Sequence, residues 1–313
     1  MRILLAGFFI CFCSVIATAQ GLPNAKAYFA GHKTASDKDN SLVISTDIVS
    51  LAVTVTDSQG RHVPGLNQSA FTVLDDRVSQ GIEFFSGSDE PASVGIVFDL
   101  SGSMSGKKII AAKEALARFV ETSHQDDDYA LVVFNDRASL VLDHARGSEA
   151  LLAKLGSAQA GGNTVLYDGV SLALEAVSHG AYHKRALIII SDGEDNRSRL
   201  AFGELYKKLR EAGVVIYSVD IGGTLPRSMG HYILDKLASS SGGDYFLPKN
   251  ADQMSEAFDQ IALELRHQYS IGYSPSNLMT DGKWHRVKVQ VMPPTDAPRL
   301  VVRVRQGYYA SSQ

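Results

Sequence analysis

The run Asp99-Leu100-Ser101-Gly102-Ser103-Met104-Ser105-Gly106 sets one carboxylate and alternate hydroxyls directly after an apolar stretch, Val94-Gly95-Ile96-Val97-Phe98. Farther along, Ile188-Ile189-Ile190-Ser191 runs into Asp192-Gly193, and Gly161-Gly162-Asn163-Thr164 offers a third hydroxyl group on a flexible turn. Read as parallel strands, the two apolar stretches end at the crevice where doubly wound sheets bind their ligands. Asp99, Ser101, Ser103, Thr164 and Asp192 would then converge on one edge. Hard oxygen donors without His or Cys suit Mg2+, Mn2+ or Ca2+ rather than zinc. With only two carboxylates, such a set leaves a dication under-coordinated and open to an anionic oxygen from outside. A helix N-cap with turn-forming serines accounts for one such residue, but not for Thr164 and Asp192 as well.

Elements of the right kind surround these residues. After Pro91, short apolar runs alternate with helical periodicity, the pattern of a mostly parallel sheet with helices on both faces. Strands are predicted at Val94–Phe98, Tyr129–Phe134, Ser139–Leu142, Ala186–Ile190, Val214–Val219 and Tyr245–Leu247, with helices near 107–122, 148–156, 166–178, 201–212, 230–240 and 251–267. In the first helix Ile109, Ala112, Leu116, Phe119 and Val120 share one stripe, and Lys107, Lys108, Lys113 and Arg118 are expected in solvent. Met254, Phe258, Ile261 and Leu265 give the last helix an apolar face.

The flanks alternate with period two instead. Leu51, Val53 and Val55 oppose Ala52, Thr54 and Thr56, and short strands follow at Phe71-Thr72-Val73-Leu74 and Ile82-Glu83-Phe84-Phe85, separated by Asp75-Asp76-Arg77. Beyond Arg266 come Tyr269–Tyr273, then Val287, Val289 and Val291, then Leu300, Val302 and Val304. Each flank has too few strands to bury a core comfortably by itself, so the two are expected to pair. The expected organisation is a leader at 1–19, a disordered lead-in at 20–43, a β segment at 44–90, an α/β domain at 91–267, and a β segment at 268–313 that pairs with 44–90. The fold class is α/β, a doubly wound mostly parallel sheet inserted in a small β-sandwich. Trp284 and the terminal tyrosines are expected in the sandwich core or its rim.

The five-residue set resembles the metal-ion-dependent adhesion site of the von Willebrand factor A domain. Asp99, Ser101 and Ser103 match its Asp-x-Ser-x-Ser run, Thr164 its lone threonine, and Asp192 its aspartate before glycine; the resemblance covers about 90–267. It implies a divalent metal, Mg2+ or else Mn2+ or Ca2+, bound directly by the serines and directly or through water by the threonine and aspartates, with a partner's carboxylate completing the shell. By the same resemblance, a shift of the last helix would couple ligand binding to the sandwich. The flanks are similar to secreted bacterial, acidobacterial-type members, in Val53–Asp57, Phe71–Asp76 and the closing Arg305-Gln306-Gly307-Tyr308-Tyr309.

Composition narrows the function. The chain has 313 residues with 45% hydrophobic content, so disorder is not its main state, and 30 Lys plus Arg against 34 Asp plus Glu argues against binding nucleic acid through bulk charge. The two cysteines, Cys11 and Cys13, both fall in the leader. Arg2, the apolar run Ile3 to Ile16, and Ala17-Thr18-Ala19 before Gln20 read as an export signal with its cleavage site. No Walker loop, no Gly-x-Gly-x-x-Gly after a strand and no Gly-x-Ser-x-Gly elbow around Ser101 points to nucleotide chemistry or a serine nucleophile. His179 and His183 read as surface or junction histidines, Asp126-Asp127-Asp128 as a polar loop, and Glu194 and Asp195 as a solvated turn or as additions to the rim of the site. The expectation is therefore a secreted or envelope-located, non-enzymatic module that captures an acidic group on a protein or surface-glycan partner. The alternatives are an envelope scaffold with a structural metal and a metal-dependent enzyme subunit.

Overall fold

The computed structural model describes residues 48–104, 106–147, 149–222, 228–276, 282–293 and 299–310. The expected leader and lead-in lie outside these residues.

Three strand runs with every residue buried build the centre of the α/β region: β5 (Ser93–Asp99), β8 (Arg185–Ser191, buried after Arg185) and β9 (Val215–Asp220). Such continuous apolar runs belong to a parallel sheet covered on both faces. With β6 (Asp128–Phe134), β7 (Ala138–Arg146) and β10 (Tyr245–Phe246) they form one six-stranded sheet, in the order β10-β9-β8-β5-β6-β7. All neighbours are parallel except β6 and β7, which pair antiparallel with register shifts near Leu131.

Helices α1 (Lys107–Thr122), α2 (Glu149–Ser157) and α6 (Ala251–His267) share one apolar cluster with the sheet, and α3 (Leu166–Ser178), α4 (Phe202–Ala212) and α5 (Met229–Ser241) share another. Each fully buried Ile, Leu or Phe in these layers contributes roughly 1.5–3 kcal/mol. Gly95 lets α3 approach closely, since a Cβ there would sit 2.3 Å from Leu187 Cδ2 and 2.7 Å from Val177 Cγ2. On α1, Ala112, Ala115, Leu116, Phe119 and Val120 are buried and Ile109 is half-buried. Lys113 departs from expectation: it is half-buried and its Nζ donates to Ala158 O at 2.7 Å, capping the end of α2.

The flanking strands build two antiparallel four-stranded sheets. One has the order β13-β1-β11-β4 and the other β14-β12-β2-β3. Here β1 is Val49–Thr56, β2 Phe71–Asp75, β3 Val78–Gln80, β4 Phe84–Ser86, β11 Tyr269–Tyr273, β12 Trp284–Val291, β13 Val301–Arg303 and β14 Gly307–Tyr309. N-terminal β1 pairs with C-terminal β11 and β13, and β2 with β12. Leu51, Val53 and Val55 from one sheet and Phe71, Val73, Val287 and Val289 from the other share a single core.

Trp284 sits at the joint with the α/β region rather than in the sandwich core. Its ring lies 3.1 Å under the guanidinium carbon of Arg210, from α4, and 5.1 Å from the Tyr309 ring. A second joint is polar, because Arg303 of β13 bonds both Asp244, just before β10, and Glu264 of α6. No helix among the described residues is long and apolar enough to cross a membrane.

Candidate metal centre

Parallel register sets the edge on which the site is built. Phe98 pairs with Ile190, which puts Asp99 beside Ser191, and Ser191 in turn pairs with Asp220. Three adjacent strands thus end in Asp99, Ser191-Asp192 and Asp220. The chain leaves β5 for β6 on one side and returns through β8 on the other, so the order reverses between β5 and β8, where crevices open in doubly wound sheets. Asp99 and Asp192 flank that point.

Backbone hydrogen bonds tie the three loops above this edge. Gly161 N donates to Leu100 O at 2.7 Å and Gly102 N to Gly162 O at 3.2 Å, joining the loops of Asp99 and Thr164. Asn196 N and Arg197 N both donate to Thr164 O, and Thr164 N donates to Asn196 Oδ1 at 3.0 Å, joining the loops of Thr164 and Asp192. Gly193 has φ +77° and lies against Gly230 at the start of α5, where a Cβ would meet Gly230 O at 2.4 Å. Only glycine meets both demands.

Within this frame Asp99 is wholly buried, Ser101, Thr164 and Asp192 are 1%, 5% and 9% exposed, and Ser103 is exposed at the mouth. Ser101 N donates to Asp99 Oδ1 at 2.7 Å, and Ser191 Oγ donates to Asp99 Oδ2 at 2.7 Å while accepting from Gly193 N. The hydroxyls of Ser101 and Ser103 lie 3.0 Å apart. Burial pushes the Asp99 carboxyl up to about 6, against the lowering effect of its bonds to Ser101 and Ser191, and the Asp192 charge adds to the rise. None of the groups that act most on Asp99 is a cation. Two carboxylates held beside small hydroxyls, with no basic partner among the described residues, form a donor set that fits a hard dication, and the groups that would hold it are Asp99, Ser101, Ser103, Thr164 and Asp192.

The sequence reading passed over Asp220. Its carboxylate is fully buried, with Oδ1 accepting from Gly222 N at 2.8 Å and Oδ2 from Tyr245 OH at 2.7 Å and His231 Nδ1 at 2.8 Å. Burial raises its pKa and the Asp192 charge adds to that, which places a third carboxylate behind the pair. The signal was present in Asp220-Ile221-Gly222, an acid closing an apolar strand just as Asp99 and Asp192 do. Asp136, between β6 and β7, was also unforeseen; it fixes the Thr164 loop by accepting from Asn163 N at 3.0 Å and Asn163 Nδ2 at 2.6 Å.

Other sequence candidates take structural parts. Asp195 accepts from Tyr167 N, Ser198 N and Ser198 Oγ, bracing the start of α3, and Glu194 is exposed. Asp127 and Asp128 are buried instead of lying in a solvated loop: Asp127 Oδ1 accepts from Ala92 N at 2.6 Å, and Asp128 Oδ2 meets His144 Nδ1 at 2.9 Å. His179 caps α3 and is exposed, as is His183.

Residues 94–194 match the family profile described as von Willebrand factor type A domain. All five candidate ligands fall inside that span, and Asp220 falls outside it. Among curated proteins, the chain is 26% identical over 207 residues to human inter-alpha-trypsin inhibitor heavy chain H4, covering 61% of this chain and 22% of that one. It is 21% identical over 198 residues to an uncharacterized protein of Synechocystis sp., covering 61% of this chain and 45% of that one. The chain spans less than half the length of the curated relatives it matches. Among solved structures, a von Willebrand factor type A protein from Catenulispora acidiphila is 14% identical with a TM-score of 0.48, covering 86% of this chain and 75% of that one. The vWF domain of the type V pili tip protein Mfa5 from Porphyromonas gingivalis is 13% identical with a TM-score of 0.48, covering 55% of this chain and 94% of that one.

Proposed function

We propose that this chain, which carries a von Willebrand factor type A domain, is a non-enzymatic binding module that captures a carboxylate-bearing protein or glycan through a divalent cation. The observation that carries the reading is the burial of Asp99 and Asp192 together, at 0% and 9% exposure, beside Ser101 and Thr164 at a topological switch point. Separating like charges from water is costly unless a cation is shared between them. Asp99, Ser101, Ser103, Thr164 and Asp192 would hold the ion, which supplies a Lewis-acidic vertex for an anionic oxygen. Magnesium suits the all-oxygen donors best, with manganese and calcium as the other candidates. Specificity would come from the loops around the mouth, since one metal–carboxylate contact is common to every acidic partner. The leader expected at 1–19 accords with work in the envelope or outside the cell.

The test is binding of Mg2+ by calorimetry, followed by pull-down from the native envelope with and without chelator, for the unaltered chain and for Asp99→Ala and Ser101→Ala. A docking module keeps its fold in both variants and loses Mg2+ uptake and ligand capture together. An envelope scaffold with a structural metal would instead lose stability on substitution, with capture unaffected by chelator in the unaltered chain. That second outcome overturns the reading.

A further inference from the structure

A second set of ligands sits in the sandwich, away from the sheet edge described above. Asp75 ends β2, Asp76 follows in a two-residue turn to β3, and His285 lies near the start of β12. One ligand atom from each lies within 4.8 Å of the others. His285 Nδ1 is 3.0 Å from Asp76 Oδ2 and 4.0 Å from Asp75 Oδ1.

Local structure aims these atoms. Asp76 and Arg77 have φ of +45° and +73°, the left-handed pair that a two-residue hairpin demands. Neither is glycine, so the turn holds two residues where side chains are disfavoured. What it gains is a fixed Asp76: its N–H donates to Arg286 O at 2.9 Å, and its Oδ1 accepts from Arg286 N at 2.9 Å, leaving Oδ2 directed at the imidazole. The His285 ring is stacked on Tyr308 at 5.4 Å.

Asp75 supplies the independent observation. It is 5% exposed, and its Oδ2 accepts from Tyr273 OH at 3.0 Å and Tyr308 OH at 2.8 Å. Its Oδ1 is buried and accepts no hydrogen bond from the described residues. An orphaned carboxylate oxygen in the interior is costly, and this one faces the imidazole from just beyond hydrogen-bond reach.

We propose that Asp75 Oδ1, Asp76 Oδ2 and His285 Nδ1 form a second cation site, selective for a borderline transition dication of the zinc class. One imidazole nitrogen and two carboxylates favour Zn2+, Mn2+ or Co2+ over Mg2+ or Ca2+. The separations of 3.0 and 4.0 Å from His285 Nδ1 to the two carboxylate oxygens approach the spacing of neighbours around one ion at bonds of about 2 Å. The exposed Asp76 opens the trio to solvent, which provides an entry path. Loading would tie the β2–β3 turn to β12 across 210 residues of chain, so the site would lock the N- and C-terminal segments together. It shares no residue with the β5–β8 crevice and stands whether or not that crevice takes magnesium.

The test is calorimetric titration of Zn2+ into the full chain, without an affinity tag and with saturating Mg2+ present, beside Asp76→Asn and His285→Gln. Asp76→Asn keeps an acceptor for Arg286 N and tolerates the left-handed turn, so that variant is expected to fold; urea midpoints in chelator check both variants. The expected result is one Zn2+ per chain, at least tenfold weaker binding in each variant, a zinc-dependent rise in the melting temperature, and for Co2+ a visible absorption band that Asp76→Asn abolishes. Zinc affinity unchanged by Asp76→Asn, or no zinc uptake by the unaltered chain, overturns the proposal and leaves the trio a plain carboxylate–imidazole pair.

Discussion

Replacing Asp99 by asparagine should make the chelated protein more stable at neutral pH and less stable in acid. Burial raises the Asp99 carboxyl from 3.8 to about 6 in the folded chain. That gap corresponds to about 3 kcal/mol. Between the two values the folded state binds a proton that the unfolded state has released, so the stability of the metal-free protein falls as pH rises through this window. The penalty is absent at about pH 3 and below and complete at about pH 7.5. An amide carries no charge and keeps an acceptor for Ser101 N, while its altered bond to Ser191 Oγ costs about 1 kcal/mol. Asp99→Asn should therefore be about 2 kcal/mol more stable than the unaltered chain at pH 7.5 in chelator and about 1 kcal/mol less stable at about pH 3. Urea midpoints followed by far-UV circular dichroism would show a shift of roughly 1 M at the higher pH. Saturating Mg2+ should reverse the order, because an ion at a hundred times its dissociation constant adds about 2.7 kcal/mol to the chain that binds it and nothing to the variant. If Asp99→Asn is destabilised equally at both pH values in chelator, Asp99 is not an uncompensated buried charge and the reasoning fails.

Two further substitutions probe the frame. Gly193→Ala combines a positive φ with a Cβ 2.4 Å from Gly230 O, and should cost about 2 kcal/mol or more, seen as a lower urea midpoint with weakened Mg2+ binding in the same variant. Arg303→Met leaves Glu264, 5% exposed, without its cation, and should cost about 3–5 kcal/mol; adding Glu264→Gln should recover much of that loss, and a double-mutant cycle measures how much.

The α/β region was legible because its strands and helices follow the hydrophobic period almost residue by residue, and because buried strand ends carry acids. Once β5 and β8 are parallel neighbours, Asp99 and Asp192 have to fall on one edge. The same rule applied to β9 gives Asp220. Two strands left no such trace. In β3, Val78 and Ser79 are exposed and no residue is buried, so there is no alternation to see, and its turn, Asp76-Arg77, lacks the glycine that marks most two-residue hairpins. In β14, Gly307 is chosen for closeness, with a Cβ there 2.0 Å from His285 O. Trp284 is expected from sequence in the sandwich core or its rim, and its part in the joint, like those of Arg303 and Arg210, depends on tertiary approach that periodicity does not encode. The closing Arg305–Tyr309 run gains a physical account from the fold: Tyr308 OH bonds the buried Asp75, and Tyr309 packs on Trp284 beside Arg210.

The same joint bears on whether binding at the crevice reaches the sandwich. Helix α6 passes into β11 with only Gln268 between them, which is the continuity that a coupled helix shift would use. Its last turns are held, however, by Glu264 on Arg303 and more loosely by Arg266 on Asp89 at 2.9 Å. The second pair is half exposed and contributes little. The first is buried on its Glu264 side, and separating it costs about 3–5 kcal/mol, whereas coupling between two sites is typically 1–3 kcal/mol. A ligand at the crevice therefore lacks the differential affinity to draw α6 away while Arg303 stays paired. Movement of α6 requires Arg303 to travel with it, carrying β13 and hence β1, so that any displacement transmitted from the β5–β8 crevice is a rigid shift of the sandwich sheet and not a slide of one helix.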